Sequence, residues 1–325
     1  MATKRVTAAD VARAVGLSRA TVGFVLNDTP GQSIPEPTRT RVLAEAKRLG
    51  YRANSAAQAL ASGRSRIILL VLPDWPLDYS MRTHLDEASL ALDEAGYSLV
   101  TMTPHPGGQA RPLWETLRPD VILGMEPFTP EQLAEMRAGG VEHIFPPAAA
   151  SDDADSLGFA DGPRLQVEHL LARGQHRIAF AGSGDRRLAK LVAERQELAA
   201  ATLRAATGED FAHASNLDET TASDAVERWV HDGVDAVVAY NDDIAALVLQ
   251  AALRADVAVP GTLAIVGHDD TPLARLLTPA LSTVRVDNAG LGRYLAALAL
   301  SAVNDGPPPV AGPETEARLI VRETT

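Results

Sequence analysis

The chain has 325 residues, 46% hydrophobic and 22% charged, with a formal net charge of −12; that is a globular balance with enough apolar material for two or three folded units. It contains no cysteine, which excludes disulfides, thiolate metal sites and a cysteine nucleophile. No stretch approaches the ~18 apolar residues of a membrane span, and Met1-Ala2-Thr3-Lys4-Arg5 leads into no apolar leader core, so a cytoplasmic location is expected.

The charge is unevenly spread. Met1 to Arg66 holds 11 Lys/Arg against 4 Asp/Glu, so the remainder is strongly acidic. A basic head on an acidic body fits a phosphate-seeking module whose carrier repels the same polyanion. In the head, Thr7 followed by Asp10 reads as a capping pair for a first helix, with Val11, Ala12 and Val15 as its apolar stripe and Gly16 as its stop. Ser18 caps a second helix from Arg19 to Leu26, ended by Asn27-Asp28-Thr29-Pro30-Gly31. Two helices joined by one tight turn are either a helical hairpin within a larger core or a unit whose second helix enters the major groove. Local basic charge favours the groove. Arg19, Ala20, Thr21, Gly23 and Phe24 then meet base edges, while Ser18 and nearby backbone N–H groups hold phosphate.

A third helix is predicted from Glu36-Pro37 to Leu49, with Val42, Leu43, Ala46 and Leu49 facing in and Arg39, Arg41, Lys47 and Arg48 facing out. Ser55 to Arg64 is helix-prone but carries too little apolar surface to fold without a partner. Beyond it, short apolar runs at Ile67–Leu72, Tyr97–Thr101, Val121–Leu123, Ile178–Ala181, Ala236–Tyr240 and Leu263–Val266 read as strands buried on both faces. They alternate with helical stretches at Met81–Ala95, Arg164–Arg173, Lys190–Thr207, Ser223–His231 and Asp243–Arg254, which predicts doubly wound parallel sheets.

Ligands in such sheets sit outside the carboxyl ends of the strands, where Asp74-Trp75, Asp161, Ser183, Asn241-Asp242 and His268-Asp269-Asp270 follow the runs. Asp242 and Asp270 are expected only to cap the next helix, and the eight histidines to lie at the surface. Catalysis finds little support. Ala181-Gly182-Ser183-Gly184-Asp185 lacks the lysine of a phosphate-gripping loop, His268 has no second histidine at ligand spacing, and no serine stands in a nucleophile elbow. No enzyme activity, cofactor or metal is expected.

The series Val6-Thr7, Asp10-Val11-Ala12, Gly16-Leu17-Ser18, Thr21-Val22, Val25-Leu26-Asn27, Thr38-Arg39, Val42-Leu43, Leu49-Gly50-Tyr51, Asn54, Ala57 and Leu60 resembles the head of the LacI-type (lactose/galactose repressor) family. Later segments, including Gly174-Gln175-His176-Arg177-Ile178 and Val266-Gly267-His268-Asp269-Asp270-Thr271, are similar to the family's sensor body. The resemblance implies an all-α helix-turn-helix head with a hinge helix, followed by an α/β, two-lobed, periplasmic-binding-protein-like body. It places the head at residues 1–53, the hinge and linker at 54–64 and the body at 65–325. It implies DNA contacts at Thr7, Ser18, Arg19, Ala20, Thr21, Gly23, Phe24, Asn27, Asn54, Ala57 and Leu60, with Leu60 as a minor-groove wedge. Effector contacts are implied at Asp74, Trp75, Asp161, Arg195, Asn241 and Asp269.

Two departures bear on specificity. Gly23-Phe24 stands where many relatives have Ser-Arg, so a guanine-reading arginine gives way to a ring able only to touch a thymine methyl or to pack on the head. Aromatic residues are only 4% of the chain, none falls within Asn216–Thr221, and Pro104–Pro119 is compact, so the ligand is a sugar or another polar metabolite, or the pocket holds none. The expected protein is a dimeric repressor of a near-palindromic double-stranded DNA operator, controlled by a small-molecule effector. A co-repressor-dependent repressor, an activator of the same architecture and a solute-binding protein stand as alternatives.

Overall fold

The computed structural model describes residues 6–27, 29, 31–51, 63–105, 108, 110–146, 161–310 and 316–325. The head consists of α1 (Ala8–Val15), α2 (Arg19–Leu26) and α3 (Glu36–Leu49). Its core is small: Val11, Ala12, Val22, Val25, Val42 and Ala46 are buried, and Val15, Leu17, Leu49 and Tyr51 pack against them. Leu43 does not join this core as expected but stands 47% exposed. Position 42 already faces inward, and the next residue on a helix turns about 100° away from it.

The body has two lobes of like topology. In lobe 1, β1 (Ile67–Val71), β2 (Ser98–Met102), β3 (Val121–Gly124) and β4 (His143–Phe145) form a parallel sheet in the order β2-β1-β3-β4. It is flanked by α4 (Tyr79–Glu94), α5 (Leu113–Leu117), α6 (Pro130–Ala138) and α12 (Asn288–Val303). In lobe 2, β5 (Ile178–Ser183), β6 (His213–Leu217), β7 (Ala236–Ala239) and β8 (Ala264–Val266) pair in the order β6-β5-β7-β8. Around it lie α7 (Asp161–Ala172), α8 (Ala189–Thr207), α9 (Ala222–His231), α10 (Asp242–Arg254) and α11 (Pro272–Leu276). The antiparallel pair β9 (Thr283–Arg285) and β10 (Arg318–Ile320) completes this side.

Central strands are the continuous apolar runs, and β7 and β8 are buried at every residue, because helices cover both faces. The edge strand β6, His-Ala-Ser-Asn-Leu, alternates between accessible and covered positions and carries no such run. It and the three-residue β4 are therefore invisible to a search for apolar runs. The helix α6 was also missed, although Thr129 and Gln132 form a complete capping box at its start. The chain enters lobe 2 after β4, returns to lobe 1 for α12, and comes back for β10. No helix among the described residues is long and apolar enough to cross a membrane.

Candidate functional site

The head presents one polar helix end. Thr7 Oγ1 accepts from the Asp10 N–H and the Asp10 carboxylate accepts from the Thr7 N–H at 2.9 Å, closing the capping box of α1. Gly16, left-handed at φ 66°, ends α1 and turns the chain toward α2. Ser18 Oγ accepts from the Thr21 N–H at 3.0 Å and lies 2.8 Å from Thr21 Oγ1. With this cap formed, Ser18, Arg19 and Ala20 are exposed at the N-terminus of α2, while Thr21 and Phe24 are half-buried. Buried Val22 and Val25 hold the opposite face of the helix. Phe24 is not among the residues packed on the head's core, which leaves its ring available at the surface. A side chain at Gly23 would meet no atom within 4 Å, so packing does not demand glycine there. Asn27 is the C-cap of α2 and exposed. Asn54, Ala57 and Leu60 lie outside the described residues.

In the body the strand ends of the two lobes face one another, and the wall from lobe 2 is densely cross-linked. Arg195 from α8 donates to the Tyr240 carbonyl at 2.7 Å, approaches Asp269 Oδ1 at 3.5 Å, and lies 4.6 Å over the Tyr240 ring. His268 Nδ1 is 2.7 Å from the same Asp269 oxygen. Burial opposes ionisation of Asp269, but the Arg195 guanidinium and the His268 ring outweigh it and hold the carboxyl below its ordinary range. Burial and the Arg195 charge push the His268 ring below its ordinary range, and its buried Nε2 has no partner. Asp269 and Asp270 both have positive φ, 97° and 45°, a strained conformation for aspartate. Neighbouring groups hold it: the Asp269 N–H donates to the Val284 carbonyl, and Asp270 receives Arg285 at 2.5 and 2.8 Å and Arg322 at 2.5 Å.

The structure corrects three expectations here. Asp270 caps no helix but anchors the strand pair β9–β10 through its two arginines. Asp242 is not a cap either; the N-cap of α10 is Asn241, whose Oδ1 accepts from the Ile244 N–H at 3.0 Å. Asp242 is fully buried, accepting from the Thr271 N–H at 2.7 Å and the Thr283 hydroxyl at 2.6 Å, and burial pushes its carboxyl up to about 7. His84 and His268 are buried rather than at the surface. In all three, long-range packing overrides the local pattern.

Lobe 1 supplies the facing wall. Trp75 packs against the cores of both lobes, whereas Asp74 is exposed. Asp78 caps α4, its Oδ1 accepting from the Met81 N–H at 2.8 Å. Burial, aided by the charges of Asp269 and Asp243 in lobe 2, lifts the Asp78 carboxyl above its ordinary range. His84 lies on the covered face of α4 with Met81, Ala88 and Leu92; it is 8% exposed, neither ring nitrogen has a partner, and burial pushes its pKa down to about 4. Asp161 starts α7 and pairs with Arg164 at 3.1 Å, next to Gly162, where a Cβ would fall 2.0 Å from His268 Nε2.

Thus Arg195, Asn241 and Asp269 come together on lobe 2, with Asp161 beside His268 and Trp75 bridging the lobes. Sequence reasoning missed Asp78, His84, Tyr240 and the role of His268. The signals present were an aspartate three residues before Met81 and a histidine within an apolar helical stripe.

A two-helix unit with an exposed polar end, carried by a two-lobed body of parallel sheets, defines a transcription regulator with a DNA-binding head and a ligand-binding-type body. Residues 7–54 match the family described as bacterial regulatory proteins, lacI family, and residues 167–325 match a periplasmic binding protein-like domain. The head thus matches the lacI-family model and the C-terminal half of the chain a periplasmic binding protein-like domain. It is 29% identical over 307 residues to the HTH-type transcriptional regulator GalS of Salmonella typhimurium, covering 91% of this chain and 89% of that one. It is 29% identical to the ribose operon repressor of Bacillus subtilis, covering 98% of each. A crystal structure of the lac repressor dimer bound to operator and the anti-inducer ONPF shares the fold, with a TM-score of 0.77, 22% identity and 99% coverage of both chains.

Proposed function

We propose that the chain acts as a homodimeric repressor of a near-palindromic operator, with its DNA affinity set by a small molecule held between the lobes. The observation that carries this reading is the exposed Ser18-Arg19-Ala20 end of α2 on a head with its own core, joined to a body with a polar cleft. The proposed boundaries are residues 1–53 for the head, 54–64 for hinge and linker and 65–325 for the body. Arg19 reads guanine, Gly23 lets the helix approach the groove, and Phe24 contacts a thymine methyl. Thr7, Ser18, Ala20, Thr21, Asn27, Asn54 and Ala57 complete the DNA surface, and Leu60 wedges into the minor groove between paired hinges. Asp74, Trp75, Asp161, Arg195, Asn241 and Asp269 line the effector site. Exposed Leu77, Tyr79 and Leu90 in lobe 1, and Leu253 and Leu276 in lobe 2, supply apolar surface for a second copy.

A ligand that changes the angle between lobes changes the spacing of the two hinges and so favours or disfavours the operator-bound state. The test is selection of bound sequences from random duplex DNA by the full chain, repeated across a salt series. Enrichment of a palindrome with a fixed centre is the expected result. Weak, salt-sensitive binding without enrichment would overturn the reading.

A further inference from the structure

We propose that a second copy of the chain docks antiparallel on the outer face of α10, with Asp243 of each copy paired to Arg254 of the other. This deepens the homodimer reading above and rests on it. Asp243 and Arg254 stand at opposite ends of α10. Eleven helical residues make three turns and about 20°, so both charges lie on one stripe, roughly 16 Å apart along the axis. Ala246, Leu247 and Gln250 lie between them on that stripe. The whole stripe lines a groove of about 550 Å³, closed on its far side by Leu277 and Thr278. On the other flank of α10 a second groove of about 280 Å³ runs against Ala222 and Ser223, where α9 begins. The helix is thus a ridge between two open grooves.

The chain does not use either charge itself: Asp243 and Arg254 are exposed and have no ion-pair partner among the described residues. About a two-fold axis that passes between Leu247 and Gln250, the stripe is complementary to itself. Asp243 meets Arg254, Leu247 meets the stem of Gln250, and each contact occurs twice. Parallel pairing would instead set Asp243 against Asp243 and Arg254 against Arg254, a repulsive arrangement. Charge therefore selects the antiparallel copy, and the symmetry that makes the two helix ends match belongs to a second copy rather than to a foreign partner. Ala246 is small enough to let the ridges approach. Leu253 and Leu276, 45% and 79% exposed, supply the apolar side chains that fill the grooves of the other copy.

The experiment is sedimentation equilibrium of the full chain without DNA, for the wild type, Asp243→Arg, Arg254→Asp and the two combined. Each single reversal puts two like-charge contacts into the dimer and is expected to weaken dimerisation at least about tenfold. The combined variant exchanges the charges, restores both pairs, and is expected to return to within about threefold of the wild type. Both reversals oppose the dipole of α10, so damage to the helix would be greatest in the combined variant, and recovery there reports pairing rather than folding. Arg254→Gln, a good helix former without the charge, covers the case in which a reversal fails to fold. It is expected to weaken the dimer about threefold or more, because the lost pair occurs twice. Single reversals or Arg254→Gln that leave the dimer unchanged, or a folded combined variant without rescue, would overturn the α10 pairing and leave a homodimer assembled through another face. A wild-type chain that stays monomeric at every concentration would overturn the homodimer as well.

Discussion

The two lobes share a strand order yet use their cleft walls differently. Lobe 2 ties its carboxylates to neighbouring side chains: Asp242 holds Thr271 and Thr283, Asp270 holds Arg285 and Arg322, and Asp269 holds Arg195 and His268, although His268 Nε2 and Thr271 Oγ1 stay without partners. Lobe 1 leaves His84 without a hydrogen-bond partner and presents Asp78 with only its helix cap satisfied. The same topology thus yields one wall whose carboxylates are each held by two other residues and one whose carboxylate, Asp78, is held by a helix cap. Fold sets where the strand ends lie, while the side chains at those ends decide what the cleft does.

The sharpest challenge to this contrast is Asp270→Ala. It strands Arg322, whose side chain is 13% exposed, and frees the strand pair β9–β10, so a loss of about 3–5 kcal/mol in urea unfolding is expected. A loss no larger than at an exposed ion pair would mean that the lobe 2 network is ornamental. Next comes Asp242→Asn. Burial pushes the folded carboxyl up to about 7 from its ordinary value of 3.8, so the native state binds the proton more tightly than the unfolded chain. Stability should fall as pH rises from about 4 to about 7, by at most about 1.4 kcal/mol per pH unit, and level off above. Asparagine should flatten that slope in unfolding curves measured across the window.

Two glycines compare the lobes directly. A Cβ at Gly292 would lie 2.4 Å from the backbone oxygen of His84 in lobe 1, and one at Gly162 would lie 2.0 Å from the His268 ring in lobe 2. Each alanine substitution should cost about 1–3 kcal/mol by overpacking, with Gly292→Ala the costlier because a helix backbone cannot rotate aside. Calorimetric melts showing the reverse order would mean that the buried His268 ring is the more rigid obstacle. The smallest effect is expected outside the body: Ser18→Ala removes the cap of α2 and should lower head stability by about 1 kcal/mol, read from hydrogen exchange in α2.

Legibility in the sequence followed how local each determinant was. The three head helices emerged with their ends because their caps, Thr7, Gly16, Ser18 and Gly50, lie beside the stripes they bound. Central strands emerged because burial on both faces leaves an unbroken apolar run, while the half-exposed β6 and the short β4 did not. Of the site, Arg195, Asn241 and Asp269 were named from resemblance and share one wall. Asp78 and His84 were passed over, since an aspartate before a helix and a histidine in an apolar stripe each have an ordinary structural explanation.

The sequence by itself determined the basic head, the two-helix reading unit, the alternating strands and helices of the body, and the polar residues after the strands, all properties of neighbouring residues and their periodicity. Only the tertiary structure decided which of those polar groups were already spoken for. Asp270 is tied down by Arg322, 52 residues along the chain, and Asp242 by Thr283, 41 residues along. Burial of His84 against its own lobe likewise depends on α12, a helix that arrives after the chain has passed through lobe 2. A buried charge or ring is satisfied by whatever the fold brings beside it, and that neighbour is not written in the residues next to it in sequence.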